Sequence, residues 1–117
     1  MLPSFEIDPT AHIAEKSLDG LWARQRLITE NIANVSTPGY KARHLSFEEY
    51  LRSAMNGATA DPTAFVRTSP AASQRSDGNS VDLEAQLVAL AENSLRYRSI
   101  MGQLQRKIDT LNAVVRE

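Results

Sequence analysis

Glu48 and Glu49 are the first side chains to weigh for chemistry. Paired carboxylates can act as general acid and base when they face each other across a cleft. Adjacent helical residues point to different faces, so these two make a poor acid–base pair. His12 sits near a helix start and reads as an exposed imidazole. The chain has two His and no Cys in 117 residues. Disulfides, thiolate ligation and a cysteine nucleophile are thereby excluded, and a histidine-rich metal site is not expected. No phosphate-binding loop, Gly-rich dinucleotide motif or zinc-ligand spacing occurs. The expectation is no catalysis, no cofactor, no metal and no small-molecule substrate.

Charge excludes little else. Thirteen basic residues stand against 14 acidic ones, a formal net charge of −1. No overall electrostatic case exists for nucleic acid or an anionic membrane. Lys41, Arg43, His44, Arg52 and Arg67 give a basic middle, read as a solvated face with a partner surface as the alternative. No apolar run approaches the roughly 18 residues of a membrane span. The first eight residues have neither a basic nor an apolar stretch, so no cleaved secretory signal is expected. Asn34-Val35-Ser36 fits a glycosylation acceptor and is taken as chance.

The elements behind these residues are helical. Asp8 and Pro9 suit a helix start, as a cap and a first-turn proline. Ala14, Leu18, Leu21, Gln25, Ile28, Ile32 and Val35 follow in steps of 4 and 3, a heptad seam with Gln25 its polar member. Thr37 precedes a proline and is pushed out of the helical region. Pro38 and Gly39 fit the centre of a type II turn. Ser46 and Glu49 read as a capping box, with Leu45 and Tyr50 as its hydrophobic staple, and predict a short helix over about 47–55. Leu83, Leu87, Leu90, Ser94, Tyr97, Met101, Leu104, Ile108, Leu111 and Val115 form a second seam. Its helix, over 81–116, would be about 54 Å long. Residues 56–80 are mostly small and polar and read as a flexible linker, with a short extended piece near Phe65-Val66-Arg67.

The expected fold is all-α and a single domain. Helix 8–35 and helix 81–116 pair as an antiparallel coiled-coil-like hairpin, with a turn and short helix over 36–55 and the linker over 56–80. Trp22, Leu27, Val88, Leu95, Ile100 and Val114 flank the seams, and a two-helix hairpin would leave several of them wet. Either the middle segment folds over them or neighbouring subunits do. The second reading is preferred, because the middle is poor in large apolar side chains.

Asn31, Ile32, Ala33, Asn34, Thr37, Pro38, Gly39, Tyr40 and Lys41 make a specific pattern. It resembles the N-terminal signature of bacterial flagellar axial proteins, the rod, hook and hook-associated group. Gly78 to Glu84, then Ala91, Glu92, Asn93 and Tyr97, are similar to the C-terminal pattern of proximal-rod subunits. The resemblance covers about residues 8–55 and 77–117 and leaves out the linker. It implies a structural subunit of the basal-body rod, passed unfolded through the flagellar type III export apparatus and assembled helically across the periplasm. The implied partners are further copies of itself, other rod proteins, the adaptor FliE and the MS-ring protein. The rival reading is a small coiled-coil adaptor or export chaperone that binds a partner's amphipathic helix. From the residues alone, Asn31 and Asn34 serve either a contact between subunits or local capping. Thr37-Pro38-Gly39 reads as a backbone device, and Tyr40 as an anchor of the turn.

Overall fold

The computed structural model describes residues 9–57, 61–69 and 74–116. The expected Asp8 cap and the first eight residues lie outside them. The chain is mainly helical: helix α1 spans Pro9–Ala33, α2 Phe47–Met55 and α3 Leu83–Arg116. Two short strands, β1 (Arg43–Leu45) and β2 (Val66–Thr68), pair antiparallel, with Arg43 opposite Thr68 and Leu45 opposite Val66. The molecule is elongated, 65 × 26 × 19 Å.

The expected capping box does not form. The Ser46 side chain caps nothing. Its backbone N–H instead donates to the Phe65 carbonyl at 2.8 Å, extending the β ladder. Glu49 is paired with Arg67 at 3.1 Å. The donor that Glu49 would have reached back to is already used. Leu45 and Tyr50, the staple pair, are both buried.

Within 56–80, the described residues 61–69 and 75–80 make defined contacts. A 3-10 turn spans Pro62–Phe65, with Asp61 accepting from the Thr63 N–H at 3.0 Å. β2 follows directly. The Ser69 N–H donates to the Ala42 carbonyl at 2.8 Å. Residues 75–80 are held by hydrogen bonds described below. In these described stretches the contacts are mostly hydrogen bonds rather than apolar burial. Ala71-Ala72-Ser73 lies outside the described residues.

The apolar core lies where α1, α2 and the hairpin meet. Leu21, Leu27, Ile28, Ala42, Leu45, Tyr50 and Ala54 are buried there. Gly20 makes the close approach possible. A Cβ at that position would lie 2.7 Å from ring carbons of both Phe47 and Tyr50. The Tyr50 ring packs edge-on to Phe65, centroids 6.0 Å apart, and its hydroxyl donates to the Lys16 carbonyl at 2.9 Å.

α3 contributes differently. Its buried residue among those described is Asn93, not a member of the leucine seam. Asn93 Nδ2 donates to the Leu21 carbonyl and to Gln25 Oε1, both at 2.9 Å. Further along, Asn31 Nδ2 donates to Gln86 Oε1 at 3.1 Å. As the number rises on α1 it falls on α3, so the two helices run in opposite directions.

Candidate functional site at the helix junction

The signature residues converge where α1 ends and α3 begins. Asn31 is 2% exposed and every polar atom of its amide is used. Nδ2 donates to the Arg43 carbonyl at 2.8 Å and to Gln86. Oδ1 accepts from the Arg43 N–H at 3.0 Å and from the Tyr40 hydroxyl at 3.1 Å. One buried amide thus joins α1, β1, α3 and the turn. Asn34 works locally. Its Nδ2 donates to the Glu30 carbonyl at 2.9 Å and its Oδ1 accepts from the Thr37 hydroxyl at 3.1 Å. These partners finish the helix end, where backbone carbonyls lack intrahelical donors.

Thr37 to Tyr40 form the type II turn. The Tyr40 N–H donates to the Thr37 carbonyl at 3.2 Å, and Gly39 has φ 76°. That φ suits glycine, which has no Cβ to clash. Gly39 in turn faces Gly78, whose added Cβ would stand 3.4 Å from the Gly39 Cα. The Gly39 N–H donates to the Asp77 carbonyl at 2.9 Å. Lys41 Nζ donates to the Gly78 carbonyl. The Tyr40 ring is half-buried and anchors the turn through Asn31.

Asn79 completes the junction and is fully buried. Its Nδ2 donates to the carbonyls of Asn34, Val35 and Thr37 at 2.9, 3.2 and 2.8 Å. Its Oδ1 accepts from the Val81 N–H at 2.7 Å. Arg75 adds donors to the Val35 and Val81 carbonyls. The Ser80 hydroxyl accepts from the Ala42 N–H at 2.8 Å. Asp82 then caps α3, accepting from the Ala85 N–H at 3.2 Å. Asn79, Asn93, Arg75 and Gly20 are the structural residues that periodicity missed. Asn79 and Asn93 stood only within the family pattern, and Gly20 carries no periodic signal.

The seam residues are placed unequally. On α1, Leu21 and Ile28 are buried, and Leu18 and Ile32 are half-buried. On α3, Leu90, Tyr97, Leu104 and Ile108 are half-buried, while Leu83, Leu87, Met101 and Leu111 are exposed. Trp22, Val88, Leu95 and Val114 are all more than half exposed. Of the flanking set, Leu27 is buried and Ile100 half-buried, so the described middle segment does not cover the rest. A groove of about 210 Å³ between α1 and α3 is lined by Trp22, Gln25, Ser94, Tyr97 and Arg98. Across the helices, burial and the facing Arg96 lower the Arg24 pKa, against a raising effect of Glu92.

Among the described residues, no three His, Cys, Asp or Glu side chains stand together as a metal site. The junction is built from amides, hydroxyls, backbone and glycines, with Lys41 and Arg75 donating to backbone carbonyls. Such groups fix a shape.

No protein-family model matches the chain. Individual relatives do. The flagellar basal body rod protein FlgB of Cereibacter sphaeroides is 36% identical over 106 residues, covering 80% of this chain and 83% of that protein. The chain belongs to the FlgB family. FlgB of Bacillus subtilis is 28% identical over 114 residues, covering 86% and 88% of the two chains. FlgB of Escherichia coli is 27% identical over 124 residues, covering 88% and 90%. This FlgB-family chain is a structural subunit of the flagellar basal-body rod and not an enzyme. Nothing in these relationships favours the adaptor or chaperone reading.

Proposed function

We propose that this chain is a proximal-rod subunit that works by helical self-assembly. α1 and α3 act as an antiparallel coiled-coil-like hairpin, and the asparagine junction sets the angle at which the middle of the chain leaves it. The observation that carries this reading is the exposed apolar surface. Leu83, Leu87, Val88, Leu95 and Met101 on α3 and Trp22 on α1 are each at least 40% exposed. Large exposed apolar patches mark protein contacts, and a repeating structural subunit supplies neighbours to cover them. The contacts are copies of itself, other rod proteins, and at the base the adaptor FliE and the MS-ring protein. The subunit reaches the rod through the flagellar type III export apparatus and lies in the periplasmic part of the basal body.

A photo-crosslinking amino acid at Leu87 or Leu95 tests this in swimming cells. The expected products are adducts with the chain itself and with other basal-body components. Adducts only with soluble cytoplasmic proteins, in cells that swim, would overturn the reading.

A further inference from the structure

From Asn79 a side-chain amide recurs every seventh residue: Asn79, Gln86, Asn93. Each meets α1 or the turn that follows it. The two rungs between helices are reciprocal. Asn31 of α1 donates to Gln86 of α3, and Asn93 of α3 donates to Gln25 of α1. Asn93 is 1% exposed, yet its Oδ1 has no partner. A buried acceptor left unpaired costs stability. An apolar side chain there would avoid that cost.

Part of the apolar stripe, including Leu83, Leu87 and Met101, lies around the helix from these amides. At about 100° per residue, Gln86 lies about 20° from Asn93. Leu83 and Met101 lie about 80° away on one side, and Leu87 about 120° away on that same side. Turning α3 toward that side would bring Leu83, Leu90 and Met101 against α1 and move the amides to the edge. Burial of apolar surface is non-directional, so it would favour that turn. Hydrogen bonds are directional and hold the helix back.

We propose that Asn79, Gln86 and Asn93 are an orientation selector. They hold α3 with Leu83, Leu87 and Met101 turned outward, and at Asn93 they do so at a cost in the stability of the isolated chain. A single buried asparagine can set register in coiled coils at a similar cost. On the assembly reading above, the face kept outward is one that a neighbour covers, but the selector can be tested without assembly.

The chain has no cysteine, so one engineered thiol reports alone. Leu87→Cys, 50% exposed in the native side chain, is placed in the full chain, with and without Asn93→Leu or Gln86→Leu. The measurement is the alkylation rate of the thiol. Leu95→Cys, nearly opposite the amides on α3, is the control for general compaction. The account expects Asn93→Leu to slow alkylation at position 87 at least threefold, with position 95 unchanged. Gln86→Leu should act in the same direction. Unchanged rates at position 87 in both folded variants would overturn the proposal. So would protection that disappears on tenfold dilution, since a second copy would then be the cover. Loss of helical circular dichroism in both variants would also overturn it, because the amides would then be needed for folding rather than for choosing a face.

Discussion

The Asn79 side-chain nitrogen lies 2.8 Å from the Thr37 carbonyl, 42 residues earlier in the chain. That contact, with those to Asn34 and Val35, fastens the entry of α3 to the exit of α1. The two helices therefore meet through a buried amide instead of a greasy corner. Asn79→Ala should destabilise the chain by about 1–3 kcal/mol, the cost of partly unpaired carbonyls. Asn79→Asp should cost more, because an ionised carboxylate donates nothing to three carbonyls. Urea denaturation of the three proteins orders them as native, Ala, Asp.

Gly39 tests the turn without steric confusion. A Cβ there would have nothing within 4 Å, so the first atom of a side chain costs through the positive φ and not through a clash. Gly39→Val should cost about 1–3 kcal/mol. Gly39→Asn should cost clearly less, because asparagine visits that region. Equal melting temperatures for the two variants would contradict the assignment.

At Gly20 the expectation reverses, since space and not φ is limiting. Gly20→Ala pushes a methyl group into the Phe47 and Tyr50 rings. Overpacking of this kind costs about 1–3 kcal/mol, despite the better helix propensity of alanine. Hydrogen exchange should rise in α2 and stay unchanged in the C-terminal half of α3.

Tyr50 predicts an alkaline weakness. Burial first, then Asp19 and Asp61, raises its phenol pKa above the usual value. The folded chain thus holds this proton more tightly than the unfolded one. The contribution is present below about pH 10 and is lost as pH rises beyond it. Denaturation midpoints between pH 8 and 11 should fall at the top of that range, and Tyr50→Phe should flatten the fall.

Sequence periodicity made α1 and α3 legible, because Leu18 to Ile32 and Leu83 to Leu111 repeat at helical spacing over many turns. The Pro38-Gly39 turn was legible from its residue types. The strand pair was not, since three residues on each side carry too little pattern, although Phe65-Val66-Arg67 hinted at extension. The contacts of Arg75, Asp77 and Asn79 were not legible, because a scale of apolar content gives no weight to well-placed donors. The face that α3 turns to α1 was also hidden. Hydrophobicity points to the leucine seam, whereas Asn93 is what is buried. Hydrogen-bond geometry is decided in three dimensions and leaves no periodic trace beyond the amides themselves.

The exposed stripe separates folding from assembly. Leu87→Asp should leave the isolated chain folded, since the site already faces water, with a stability change within about 0.5 kcal/mol. Swimming in a complementation assay should be lost, with the protein still exported. Normal swimming would mean that this part of α3 is covered by nothing.

The central claim is that this chain is a structural part of the rod. Electron cryo-microscopy of basal bodies from cells that lack it, beside cells carrying it, measures that claim directly. The account predicts basal bodies without a completed rod in the deletion. In the complemented cells it predicts a rod containing density for the α1–α3 pair. Complete rods in cells that lack the chain would contradict it.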